Sequence, residues 1–137
     1  VLNAYNHVGL LDSGQTCLEV MSKGYNGIHP CIEHYISVID LFGRAGQFKN
    51  MSQMVERMPF HPNKVTWHSI LGACRKWGNV KLGRLAFGQA VELDYNLSAA
   101  YVLMCNIYVS AGMFEDAEKI KAMRVKYAGY KNHHQVT

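Results

Sequence analysis

The chain predicts an all-α fold, an α-solenoid of stacked helix-turn-helix repeats, and three observations carry that prediction. One turn recurs four times, as His7-Val8-Gly9-Leu10-Leu11, Arg44-Ala45-Gly46-Gln47-Phe48, Lys76-Trp77-Gly78-Asn79-Val80 and Ser110-Ala111-Gly112-Met113-Phe114. Its glycines stand 37, 32 and 34 residues apart, the period of helical hairpins that bury their apolar faces only by stacking on neighbours. The flanks keep the same register. Four residues before the glycine come Tyr5, Phe42, Cys74 and Tyr108, two after it Leu11, Phe48, Val80 and Phe114, and five after it Gly14, Met51, Gly83 and Ala117. The first set belongs in the last turn of the leading helix, and the second is expected to be buried between the two helices. The third is small in three of four cases, as a close helix approach demands. Finally, a glycine just past a helix end suits the left-handed backbone that other residues adopt only at a cost.

The elements follow in order. The pattern gives eight helical segments, with the first cut short at Val1, so the chain is expected to belong to a longer array. The second hairpin runs from about His34 to Gly43 and from about Lys49 to Met58. There Pro59 and Pro62, which lack a backbone donor, forbid continuation. The third hairpin runs from about Val65 to Trp77 and from Val80 to Leu93. Asn96, followed by Ser98, is the expected cap of a helix from about Ala99 to Ser110. The last helix runs from about Glu115 to Tyr127. Glu115, Asp116 and Glu118 near its start and Lys121, Arg124 and Lys126 toward its end follow the charge order that a helix dipole favours.

Composition fits one helical domain: 137 residues, 49% of them hydrophobic, with a formal net charge of +4. No apolar run approaches the roughly 20 residues that span a bilayer, so no membrane partner is expected, and no signal or transit peptide is visible. Cys17, Cys31, Cys74 and Cys105 have no paired spacing and read as reduced core or near-core thiols. His29, Cys31 and His34 have zinc-ligand chemistry but not zinc-site spacing, so neither metal nor cofactor is expected. From Lys119 to Thr137 the basic residues meet no acidic one. Lys121, Arg124, Lys126 and Lys131 are therefore candidate phosphate contacts, with Tyr127 and Tyr130 able to stack on a base. The alternative for this segment is a solvated helix face and a frayed end.

Four longer phrases carry a family resemblance: His34-Tyr35 through Asp40-Leu41-Phe42-Gly43-Arg44-Ala45-Gly46; Met58-Pro59-Phe60-His61-Pro62-Asn63; Trp67-His68-Ser69-Ile70-Leu71-Gly72-Ala73-Cys74-Arg75; and Tyr101-Val102-Leu103-Met104-Cys105-Asn106-Ile107-Tyr108. Together they resemble the C-terminal end of a plant PLS-class pentatricopeptide repeat protein. By that resemblance, residues 1–32 are a partial long repeat and 33–64 a short repeat. Residues 65–98 and 99–131 are then two tetratricopeptide-like E motifs, and 132–137 a tail.

The resemblance implies one RNA base read per repeat, here through Ser37 with Asn63 or Lys64. Ser69 is the equivalent of Ser37 in the first E motif. It also implies that the E motifs are a platform for organellar C-to-U RNA editing in a mitochondrion or plastid. Single-stranded RNA would be bound mainly by upstream repeats, and a deaminase or another editing factor would be recruited by the E motifs. The chain departs from the family pattern at Tyr95, where proline is usual, and in a tail without the usual Pro-Gly segment. The zinc deaminase that often follows such motifs needs His-x-Glu and Cys-x-x-Cys. Neither occurs here, so the chain itself is not expected to be an enzyme. The alternative function is a tetratricopeptide-like protein-interaction scaffold without direct RNA contact.

Overall fold

A computed structural model describes residues 30–136, with side chains through position 127. The described residues form six helices and no strand: α1 (Ile32–Arg44), α2 (Phe48–Arg57), α3 (Lys64–Trp77), α4 (Val80–Leu93), α5 (Ser98–Ser110) and α6 (Phe114–Val136). The fold class is the all-α, helical-hairpin repeat class. Two compact units divide the chain, one ending at Ser69 and one beginning at Ile70, so α3 contributes to both.

The three described turns are built alike. Gly46, Gly78 and Gly112 have φ of 74°, 72° and 75°, the left-handed region in which a Cβ is strained. The N–H of the next residue then reaches back to the carbonyl five positions earlier: Gln47 to Phe42 at 2.8 Å, Asn79 to Cys74 at 2.9 Å and Met113 to Tyr108 at 2.8 Å. This closes the helix end and satisfies an otherwise orphaned carbonyl. The second helix opens on the same residue, since Met51, Gly83 and Ala117 donate to the carbonyls of Gln47, Asn79 and Met113. At Asn79 the side chain also caps α4, accepting from the Leu82 N–H at 3.1 Å.

The unit ending at Ser69 holds the α1–α2 hairpin. Tyr35, Val38, Ile39 and Phe42 recur at the spacing of one helix face, and all are buried with Met51, Met54 and Met58. Phe60 sets its ring edge against Tyr35, with centroids 6.0 Å apart. α2 ends at Arg57, and Met58 takes φ −61° and ψ 126°, the extended conformation that a following proline imposes.

The unit from Ile70 onward has a core of small residues and rings. Ala86, Ala90, Ala100 and Ala117 are buried, as are Phe87, Tyr101 and Tyr108. A Cβ placed on Gly83 would meet Ile107 Cδ1 at 3.1 Å and Cys74 Cβ at 3.6 Å, which is the close approach expected there. Phe87 and Tyr101 stack edge to face with centroids 5.3 Å apart, and the Tyr101 hydroxyl donates to the Tyr95 carbonyl at 2.8 Å.

Four expectations need correction. The residues two after the glycine are not a buried wedge: Phe48 and Val80 are half-buried and Phe114 is 64% exposed, while Leu11 lies outside the described residues. Phe48, Val80 and Phe114 are each the first residue of their helix, lying about 60° round the axis from the inward-facing fifth position after the glycine. Asn96 and Ser98 do not cap α5. Asp94 takes the Asn96 N–H at 3.0 Å, and Ser98 is already helical. The last helix does not stop near Tyr127 but continues to Val136, which places Lys121, Arg124 and Lys126 in its interior. Cys31 is exposed because it sits just before α1, outside the apolar face.

Candidate functional site

Ser37 projects from the middle of α1 and is exposed. Its hydroxyl donates to the Glu33 carbonyl one turn earlier at 2.9 Å. The proton is therefore engaged within the helix, a common habit of helical serine, and the oxygen lone pairs are left to face outward.

Asn63 opens α3 and has a second duty. Its Oδ1 accepts from the Thr66 N–H at 2.9 Å and from the Thr66 hydroxyl at 3.0 Å, while its own N–H donates to Thr66 Oγ1 at 3.3 Å. These reciprocal bonds cap the helix. They also satisfy Thr66, which is fully buried and would otherwise bury a bare hydroxyl. The Asn63 acceptor is thus committed to the fold, and its amide protons are what it can offer a base edge. Lys64, the first residue of α3, is exposed and places a positive charge beside it. Ser37 and Asn63 are each bonded locally, one supplying an acceptor and the other a donor. Ser69 is half-buried on α3.

The basic candidates divide. Lys121 is exposed and its Nζ meets Glu118 Oε1 at 3.0 Å; that hydrogen bond, with the nearby negative charge, raises the lysine pKa. Arg124 and Lys126 are exposed, and neither forms an ion pair among the described residues. Lys131 lies beyond the described side chains. Lys121 and Arg124 border a cleft of about 210 Å³ between α5 and α6, lined also by Tyr101, Val102, Cys105, Asn106 and Ile120. This cleft was not singled out in the sequence. The available signal was that Ser98–Ser110 contains no charged residue, which is unusual for a helix with an exposed side.

The zinc-like cluster resolves into local bonding. The Cys31 N–H donates to His34 Nδ1 at 3.2 Å, and Cys31 Sγ lies 3.1 Å from the same nitrogen; His29 lies outside the described residues. Among the described residues no group of three or more His, Cys, Asp or Glu side chains is placed to hold a metal ion. Burial pushes the Cys74 thiol up to about 12, far from a nucleophile's range. Arg84 donates from Nε to the Tyr108 hydroxyl at 2.9 Å and lies 5.5 Å from that ring's centroid, pinning α4 to α5. No described helix is long and apolar enough to cross a membrane.

Comparison with known proteins places these elements. Residues 33–60 match the pentatricopeptide repeat family model, and residues 77–137 match the E motif model. The chain is 43% identical over 126 residues to pentatricopeptide repeat-containing protein At2g21090 of Arabidopsis thaliana, covering 92% of this chain and 21% of that protein. It is 38% identical over 126 residues to the Arabidopsis thaliana pentatricopeptide repeat-containing protein At5g46460, mitochondrial, covering 92% of this chain and 18% of that protein. It is also 38% identical over 122 residues to the Arabidopsis thaliana pentatricopeptide repeat-containing protein At3g57430, chloroplastic, covering 88% of this chain and 14% of that protein. The chain therefore spans about a fifth or less of the length of these relatives. No solved structure matches it significantly. With a pentatricopeptide repeat followed by an E motif, and relatives of the same kind along most of its length, the chain belongs to the plant pentatricopeptide repeat proteins as a C-terminal, E-motif region of the PLS class.

Proposed function

We propose that this chain is the RNA-associated adaptor end of an organellar C-to-U editing protein, working in a mitochondrion or plastid. Residues 33–64 are its last RNA-reading repeat, and the two E motifs, 65–98 and 99–131, are its protein-recruitment platform. The observation that carries this reading is the order of the two family matches, a pentatricopeptide repeat at 33–60 and an E motif from 77 onward. The mitochondrial and chloroplastic names of two relatives support the compartment.

In this reading Ser37 offers an acceptor and Asn63 a donor to one base, with Lys64 beside the phosphate, while upstream repeats supply most of the affinity. Lys126 and Lys131 add sequence-independent attraction to phosphate. In this reading the E motifs connect the RNA-bound array to the deaminase chemistry, supplied by a deaminase domain in cis or by another protein. In the intact protein, exchanging residues 65–131 for two tetratricopeptide hairpins from a protein without an editing role should abolish editing and leave RNA affinity nearly unchanged. Full editing after the exchange would overturn the platform. The 137-residue chain alone should bind RNA weakly, with a shallow salt dependence; tight, sequence-selective binding by it would contradict the division of labour.

A further inference from the structure

We propose that the cleft between α5 and α6 is a docking groove for an acidic segment of a partner protein. An apolar side chain of that segment sits on Val102, Cys105 and Ile120, and its carboxylates face Arg124, Lys121 and Asn106. The proposal rests on the reading of the E region as a recruitment platform and names the chemistry of what is recruited.

The apolar half of the argument comes from α5. Ser98–Ser110 has no charged residue and a single amide, Asn106, and a helix so nearly apolar all round is ordinarily covered on most of its sides. Here one side is buried through Ala100, Tyr101, Met104, Ile107 and Tyr108, while Val102 and Val109, two turns apart, remain 41% and 43% exposed. Between them stand Cys105 and Asn106, both half-buried, with the Cys105 thiol donating to the Ala117 carbonyl of α6 at 3.9 Å. The cleft continues this surface onto Ile120 of α6.

The choice of occupant comes from charge. None of the residues lining the cleft is acidic, and two are cationic. Lys121 is partly neutralised by Glu118. Arg124 has no ion pair, and the half-buried Asn106 carboxamide no hydrogen bond, among the described residues. A guanidinium fork beside an unoccupied amide donor is suited to a carboxylate. Nucleic acid fits less well, because base binding on such a surface needs an open aromatic face. The one ring in the cleft, Tyr101, is buried and held edge-on by Phe87, with its hydroxyl committed to Tyr95.

The test uses the full 137-residue chain and a fluorescein-labelled synthetic peptide in which leucine alternates with glutamate. The same peptide with glutamine in place of glutamate and an oligouridylate of similar length serve as comparators. The acidic peptide should bind, weaken as salt rises, and exceed both comparators. Arg124→Glu should weaken it roughly tenfold or more, as expected when one partner of a partly desolvated charge pair is reversed. Val102→Asp should weaken it too, and both variants should keep the wild-type melting temperature because both positions are exposed. Equal binding of the glutamine peptide, an unchanged affinity in Arg124→Glu, or preferential oligouridylate binding that Arg124→Glu abolishes would each overturn the proposal. If no acidic peptide binds while the exchange of residues 65–131 still abolishes editing, the groove is overturned and the platform stands. Editing that survives the exchange overturns the platform and this proposal with it.

Discussion

The α1–α2 hairpin and the α3–α4 hairpin close on the same turn but fill the space behind it in opposite ways. Behind Gly46, the equivalent positions hold two large side chains, Phe42 and Met51, and both are buried. Behind Gly78 the facing pair is Cys74 and Gly83, so small that a Cβ on Gly83 would already touch Cys74. The turn geometry is nevertheless the same to within a few degrees of φ. Register is thus set by the left-handed glycine and the carbonyl it leaves for the next N–H, while side-chain volume at the facing positions sets how closely two helices approach. The polar specification differs as well. The E-motif region is pinned by tyrosine hydroxyls, Tyr101 to Tyr95 and Arg84 to Tyr108, whereas the repeat side relies on adaptable methionines.

The most damaging way to break this contrast is Gly83→Trp. A ring at that point collides with Ile107 and Cys74, and the loss should exceed the ~1–3 kcal/mol usual for overpacking, read by denaturant unfolding. On the other side, Met51→Ala leaves a cavity and should cost ~2–5 kcal/mol. If Met51→Ala is harmless and Gly83→Trp tolerated, the volume argument is wrong.

Smaller changes sharpen it. Asn63→Ala removes the cap and strands Thr66, at ~0.5–2 kcal/mol. Asn63→Asp keeps the acceptor but loses the amide donor, so it should spare stability while weakening RNA binding in a longer array; an equal loss of stability in both variants would contradict the two-duty reading. Gly83→Ala is crowded by the flexible end of Ile107 at 3.1 Å, while Cys74 Cβ at 3.6 Å is an ordinary contact, and it gains helix propensity of ~1 kcal/mol, so its net effect should be near zero.

The smallest effect is confined to alkaline pH. The folded Cys74 pKa is raised from 9.0 to about 12 by burial, so its contribution to stability is complete below pH 9 and is lost as pH rises toward 12. Tyr35 and Tyr101, also raised by burial, act in the same direction from higher pH. Unfolding measured across that range should fall less steeply in Cys74→Ala than in the wild type, and a parallel decline would contradict a thiol held protonated by burial.

Much of this was legible in the sequence because it depends on the backbone. Gly46, Gly78 and Gly112 announce their own conformation, and Phe42, Cys74 and Tyr108 lie at fixed positions relative to them, so their burial follows. Phe114 was misread because an apolar residue at the first position of a helix is buried only if something covers that edge, which periodicity does not report. The α5 cap was misplaced because Asn96 and Ser98 have cap chemistry, whereas the backbone path puts Leu97 at the cap position with no side-chain hydrogen bond and spends Asp94 on the Asn96 N–H in the preceding turn. The cleft beside Arg124 depends on two helices meeting side by side, and no local pattern encodes that. Asn63 had a readable donor and acceptor, but its engagement with Thr66 appears only when both are placed.

The central claim is that reading and recruiting reside in different parts of the chain, and paired measurements on the intact protein test it most directly. RNA affinity and editing are measured together for Gly83→Trp and for the double variant Ser37→Ala with Asn63→Asp, with circular dichroism verifying that the upstream array is folded. The account predicts that Gly83→Trp abolishes editing with RNA affinity nearly unchanged, and that the double variant weakens RNA binding, with editing falling only in proportion. Full editing by Gly83→Trp with a demonstrably opened α3–α4 hairpin, or an equal loss of RNA affinity in both variants, would contradict it.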